Sequence, residues 1–194
     1  MKHFKKLSDL PKYEGVWDEL RILISAGLLD WDMKKHKEIC LTSTYENSTD
    51  IFEGASSLHR DWSKVYEVEE NGSMVKKVPL FENPKKESDF KYLCNQFEDT
   101  VFEEIYAMLW NYVGTPGRIK IFVSTRCTCL SWHVDDTPRI HFPMKTQKGC
   151  FMVIDDEVMH MKQDNWYWAN TTIPHTAFNA SDTDRIHLVA SMVR

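Results

Sequence analysis

Ser131-Trp132-His133-Val134-Asp135-Asp136-Thr137-Pro138-Arg139-Ile140-His141-Phe142-Pro143 alternates in character on either side of a polar, proline-containing turn. In extended chain, successive side chains point to opposite faces. His133 and Asp135 therefore share one face while Val134 and Asp136 take the other, and Arg139 and His141 share a face on the following strand. Two metal-capable side chains thus arrive together at His133 and Asp135. A third ligand from a distant strand, His175 in Ile173-Pro174-His175, would complete a two-histidine, one-carboxylate set that leaves the remaining metal positions open.

The period of two extends well beyond this segment. Strand-like runs are expected at Arg118–Ser124, Thr128–Asp135, Arg139–Met144, Cys150–Ile154, Val158–Met161, Trp166–Ala169, His175–Asn179 and Arg185–Met192. Asp-Thr-Pro, Lys-Gly, Asp-Asp and Ser-Asp-Thr-Asp turns separate them. Eight short strands in this space fit a double-sheet jelly roll of the cupin type, although a sandwich of another topology has the same periodic signature.

Ahead of residue 118 the pattern changes. Trp17, Leu20, Leu23 and Ile24 form a helical stripe within Val16–Ala26, closed by Gly27. Glu38–Thr44 reads as a strand. Residues 45–87 are polar, broken by Pro79 and Pro84, and read as loops with short structured pieces. Phe90, Leu93, Phe97, Val101, Ile105 and Leu109 predict a long helix over Ser88–Tyr112, capped by Ser88 or Asp89 and stopped at Gly114. The expected class is α+β, a jelly-roll, cupin-like double-stranded β-helix with N-terminal helices packed on one sheet. One domain spans 1–194, with 1–117 as support and 118–194 as the core carrying the site.

At 194 residues and 42% hydrophobic, the chain suffices for one sizeable core. It has no apolar run long enough for a membrane span and no apolar signal-peptide core at the N-terminus, so no membrane partner and a cytoplasmic location are expected. A formal charge of -5 gives no reason to expect a nucleic-acid partner. The five cysteines lack zinc-finger spacing; Cys127 and Cys129 would share a strand face as packing residues, a soft metal pair or a redox pair.

Five of the eight histidines, His133, His141, His160, His175 and His187, lie in the β half. A two-histidine, one-carboxylate set is the one associated with non-haem Fe(II) oxygenases. The order His133-x-Asp135, Arg139-Ile140-His141-Phe142-Pro143, His175, Asn179 and Arg185-Ile186-His187-Leu188 resembles the aspartyl/asparaginyl β-hydroxylase and cis-proline hydroxylase group of Fe(II)/2-oxoglutarate-dependent oxygenases. The resemblance covers Arg118 to Met192. Asp135 agrees with the proline hydroxylase branch, whereas the animal aspartyl β-hydroxylases lack that carboxylate.

The resemblance implies that His133, Asp135 and His175 hold Fe(II), and that 2-oxoglutarate chelates it through its 1-carboxylate and 2-oxo groups, leaving a position for O2. It implies that Arg185 holds the distant 5-carboxylate, a task suited to a permanently charged, two-pronged guanidinium. Arg139 and His141 are placed near the metal-binding end of the cosubstrate, and His141 could instead orient Asp135 from behind. The implied reaction is hydroxylation of an amino acid, or of a proline, aspartate or asparagine residue in a peptide or protein, with release of succinate and CO2. Because Asp135 is present, hydroxylation is expected rather than halogenation. A non-catalytic or isomerase-type metal-binding cupin is the alternative. Pocket walls are expected from loops 45–87, and Trp132, Trp166 and Trp168 could line the pocket or the core.

Overall fold

The computed structural model describes residues 2–193. Its strands, in chain order, are β1 (Phe4–Lys6), β2 (Glu38–Cys40), β3 (Thr42–Ser43), β4 (Tyr66–Glu70), β5 (Ser73–Lys77), β6 (Tyr92–Leu93), β7 (Ile119–Ser124), β8 (Thr128–Cys129), β9 (Arg139–Lys145), β10 (Cys150–Ile154), β11 (Glu157–Met159), β12 (Tyr167–Ala169), β13 (His175–Asn179) and β14 (Arg185–Ser191). The α-helices are α1 (Val16–Ser25) and α2 (Val101–Val113). A major antiparallel sheet runs β1-β12-β9-β14-β7-β2, and a minor one runs β11-β10-β13-β8. From β7 onward the chain passes back and forth between them, with β7, β9, β12 and β14 in the major sheet and β8, β10, β11 and β13 in the minor. This is the connectivity of a cupin-like jelly roll. Among the described residues no ladder joins the two sheets. The N-terminal region adds strands as well as helices, since β1 and β2 form the two edges of the major sheet.

Alternation along the major-sheet strands separates scaffold from site. Ile119, Ile121 and Val123 of β7, Ile140, Phe142 and Met144 of β9, and Ile186, Leu188 and Ala190 of β14 share one core with Val16, Leu20 and Leu23 of α1 and Phe102, Ile105 and Leu109 of α2. The opposite parity, Phe122, Arg139, His141, Arg185, His187 and Val189, faces the interior between the sheets and lines a cavity there. A smaller apolar cluster of Phe4, Met152, Ile154, Met159, Met161, Tyr167, Ala169 and Ala177 fills the rest of that interior. Each fully buried large apolar side chain contributes about 1.5–3 kcal/mol. Packing of this kind, rather than intrinsic propensity, sustains a helix as short as α2.

The helix expected over Ser88–Tyr112 begins only at Val101. Its upstream half is a 3-10 turn (Glu87–Asp89), the short strand β6 and a second 3-10 turn (Asn95–Phe97). Phe90 and Phe97 are fully buried as their spacing suggested, but from non-helical backbone. Sheet pairing wins there: Lys91 and Cys94 donate their N–H groups to the carbonyls of Ser43 and Leu41, and Asp99 turns into left-handed backbone at φ 56. The helix start is then defined by Thr100, whose hydroxyl accepts from Phe102 N, and by Glu19 of α1, which accepts from Val101 N.

One further expectation is revised and another filled in. The strand over Thr128–Asp135 reduces to β8, after which Leu130, Ser131, Trp132, His133 and Val134 run exposed along the edge of the minor sheet. Within 45–87, Tyr66–Glu70 and Ser73–Lys77 pair as a hairpin whose Asn71-Gly72 turn has positive φ at both residues. No helix among the described residues is long and apolar enough to cross a membrane.

Candidate metal centre

His133, Asp135 and His175 converge at one end of the cavity, each offering a donor atom within 4.8 Å of the others. They meet without the regular strand expected around His133. A single β-bridge does the work: His133 N donates to His175 O and His175 N to His133 O, both at 3.0 Å. Asp135 N donates to Thr171 O at 2.9 Å. The two imidazoles are oriented by the same local device. His133 Nδ1 lies 2.8 Å from Ser131 O and His175 Nδ1 lies 3.0 Å from Ile173 O, each the carbonyl two residues earlier, so each Nε2 is left for a ligand.

Protonation states suit a cation. Burial raises the Asp135 carboxyl, but the charge and hydrogen bond of Arg139, with smaller contributions from His175 and His133, outweigh it and hold the group down at about 2. The His175 imidazole is pushed below its usual range, chiefly by burial, and is therefore a neutral ligand at pH 7.

Behind Asp135 stands a buried charge network that the sequence did not reveal. Arg139 Nε donates to Asp135 Oδ2 at 2.9 Å, its Nη2 donates to Glu87 Oε1 at 2.8 Å, and its Nη1 bonds Ser191 Oγ. Glu87 also accepts Arg118 Nε at 2.9 Å, Arg118 Nη2 at 2.8 Å and the Ser191 hydroxyl at 2.7 Å. Burial would raise its carboxyl, but Arg139 first and Arg118 next bring it down to about 2. Arg118 in turn donates to the carbonyls of Gly54 and Ser56, anchoring the loop whose Ser57, Arg60 and Trp62 form the cavity mouth. Arg139 therefore lines the cavity with each of its three guanidinium nitrogens making one hydrogen bond, and it acts on Asp135 directly. No motif flags Glu87, a glutamate between breaker-rich loop and short turn.

Elsewhere on the cavity wall the arrangement is reversed. Arg185 is buried, and no carboxylate pairs with it among the described residues. Its Nε donates to His187 Nε2 at 2.9 Å, its Nη2 sits 3.2 Å from His187 Nδ1, and Nη1 has no partner. Burial depresses its pKa to about 10. His187 is neutral, driven well below its usual range by burial and by the Arg185 charge. His141, fully buried with both ring nitrogens unpartnered, is pushed down to about 3 by burial and then by Arg185. His187 was legible by parity, being two residues past Arg185 on one strand.

The cavity holding all of this measures about 470 Å³. His133, Asp135, His175, Arg139, His141 and Arg185 all line it, so every candidate site residue from the sequence reaches one space. Asn179 does not line it; its amide donates to the carbonyls of Ser124 and Thr183, holding β13 to the neighbouring turns. None of Trp132, Trp166 and Trp168 lines it either, and the indole at the mouth is Trp62. Cys127 and Cys129 are exposed free thiols, with Cys127 in a left-handed turn rather than on a strand.

The donor set fits a divalent ion with open coordination positions. Two free imidazole Nε2 atoms and an ionised carboxylate stand on one side, and the cavity lies on the other. Among the described residues Nη1 of Arg185 has no partner, and it stands on the wall of the same cavity as a donor open to an anionic group.

Residues 46–194 match the family model of aspartyl/asparaginyl β-hydroxylase. Among curated proteins, none matches the chain in sequence. Solved structures with partial likeness include a cupin domain from Bordetella pertussis, at 14% identity and TM-score 0.36, covering 40% of this chain and 81% of that one. An oxidoreductase of the 2OG-Fe(II) oxygenase family from Burkholderia pseudomallei shares 12% identity at TM-score 0.36, covering 66% and 72%. IDO from Bacillus thuringiensis shares 12% identity at TM-score 0.35, covering 98% and 89%.

Proposed function

The chain belongs to the aspartyl/asparaginyl β-hydroxylase family, and from that premise we propose that it is an Fe(II)- and 2-oxoglutarate-dependent dioxygenase hydroxylating an amino acid or an amino-acid residue in a peptide. The observation that carries this reading is Arg185, a buried cation without a counter-charge, in the same cavity as a His-Asp-His donor set. A metal-binding module or an isomerase has no use for such a cation. A dicarboxylate held at one end by a metal needs a fixed positive charge at the other.

In this reading His133 Nε2, Asp135 and His175 Nε2 hold Fe(II), and Arg185 holds the 5-carboxylate of 2-oxoglutarate. Iron held by these residues, with 2-oxoglutarate and O2, would supply the oxidising power for hydroxylation, one oxygen atom going to the product and the other to succinate as CO2 is released. The chain's own residues position and exclude. Arg139, fixed by Glu87 and Ser191, keeps Asp135 ionised and oriented. His141, neutral and unpartnered, offers an N–H to the metal-proximal end of the cosubstrate. Substrate enters past Ser57, Arg60 and Trp62, and the cavity volume suits one cosubstrate with a single amino-acid side chain.

The test is succinate release from 2-oxoglutarate under Fe(II) and O2, read against free amino acids and short peptides containing proline, aspartate or asparagine. Substrate-stimulated succinate with a hydroxylated product is the expected result. Absence of 2-oxoglutarate binding by the Fe(II)-loaded protein would overturn the reading.

A further inference from the structure

A second donor cluster lies outside the cavity, at the edge where the N-terminal strand meets the minor sheet. His3 immediately precedes β1, whose Phe4 pairs with Ala169 of β12. Asp155 and Asp156 form the two-residue connection between β10 and β11, where Ile154 pairs with Glu157. Asp155 takes left-handed backbone at φ 52, a conformation that suits Asp at a tight hairpin turn. One donor from each of His3, Asp155 and Asp156 lies within 4.8 Å of the others.

The His3 ring is what separates this cluster from ordinary surface acids. Its side chain is only 8% exposed, and neither ring nitrogen has a hydrogen-bond partner among the described residues. A buried imidazole with both nitrogens unsatisfied is costly unless something else engages it. His3 Nε2 faces Asp155 Oδ2 at 3.6 Å, too far for a hydrogen bond. It is close to the span across an ion, since two ligands about 2.1 Å from a tetrahedral centre stand roughly 3.4 Å apart. The family centre shows the same spacing, with His175 Nε2 3.7 Å from Asp135 Oδ2.

Neighbouring groups fix the cluster without filling it. Glu157 accepts from Lys2 N at 2.6 Å and His3 N at 2.9 Å, which holds the His3 backbone beside the turn. Lys2 Nζ stands 4.0 Å from Asp155 Oδ2 on a side chain that is 72% exposed, so it balances charge loosely from the solvent side.

We propose that His3 Nε2 and one carboxylate oxygen each from Asp155 and Asp156 bind a divalent ion of the zinc class, clamping β1 of the major sheet to the β10–β11 turn of the minor sheet. An imidazole among the donors favours a transition ion over Mg²⁺ or Ca²⁺, and three protein ligands leave the fourth tetrahedral position to water. The clamp joins two sheets between which no ladder runs among the described residues.

Zinc titration by calorimetry on the full chain tests this, in a His133→Ala/His175→Ala background that disables the cavity donors. One equivalent of zinc is expected there, with a rise in melting temperature on zinc addition. Both should disappear on adding His3→Ala, and zinc affinity should fall at least tenfold on adding Asp156→Asn, an exposed turn substitution that leaves the core untouched. If the background protein takes up no zinc, or binds it equally well with both substitutions present, the site does not exist. Neither result depends on the catalytic reading.

Discussion

Arg139 and Arg185 are both buried, both project from the major sheet into one cavity, and are held in opposite ways. Arg139 is saturated, with Asp135, Glu87 and Ser191 taking its donors. Among the described residues Arg185 hydrogen-bonds only to a neutral histidine, and its Nη1 has no partner. A buried cation with its counter-charges in place belongs to the scaffold of the site, because removing it takes the guanidinium partner from Asp135 and one of two from Glu87. One without them carries a desolvation cost that only an incoming anion offsets. The contrast supports, within the proposed function, a positioning role for Arg139 and a ligand-binding role for Arg185, although in the sequence both arginines sit two residues before a histidine in similar strands.

The largest expected effect tests the saturated arginine. Arg139→Ala should cost about 3–5 kcal/mol of stability, since half-buried Asp135 would lose its guanidinium partner and buried Glu87 one of its two, Arg118 remaining. Urea unfolding measures it, and a loss under 1 kcal/mol would mean that the network contributes little. Arg185→Ala should do the reverse. Unfolding should be unchanged or shifted slightly toward greater stability, while 2-oxoglutarate binding to the Fe(II)-loaded protein weakens by roughly a hundredfold, about 2.7 kcal/mol. Equal 2-oxoglutarate affinity in the variant would remove the assignment. Arg185→Lys should recover only part of that loss, because a point charge does not reproduce a planar two-pronged contact.

A smaller effect concerns acid. Glu87 and Asp135 both have folded-state pKa values near 2, below their ordinary values of 4.5 and 3.8. Depressed carboxylates contribute stability that is fully present above the unfolded-state values. It is lost as pH falls through the window from about 4.5 to about 2. Glu87→Gln should flatten that acid limb in a pH series of unfolding midpoints. The same variant should lower Fe(II) affinity modestly through Arg139 and Asp135, on the order of tenfold. An unaltered acid limb would show that Glu87 does not carry the linkage.

How much of this was legible in sequence follows from the range of each interaction. Strand parity is local, so the alternation that turns Ile140 and Phe142 toward the helices and Arg139 and His141 into the cavity could be read directly, as could the shared face of Arg185 and His187. Strand number and turn chemistry left a jelly roll or another sandwich open, and the resemblance of the ordered motifs to a known family singled out the cupin-like barrel and the set His133, Asp135 and His175. Regular periodicity misled where backbone pairing competed with it: Phe90, Leu93 and Phe97 have helical spacing, yet hydrogen bonds to Ser43 and Leu41 make that segment a strand and turns. The charge network lay beyond any local signal. Glu87 meets Arg118 across 31 residues and Arg139 across 52, and what makes it the partner of both is burial in a shared low-dielectric interior. Periodicity and chemistry are written along the chain. Which charges are paired, and which has no counter-charge among the described residues, depends on distances that exist only after the two sheets and their covering loops have packed.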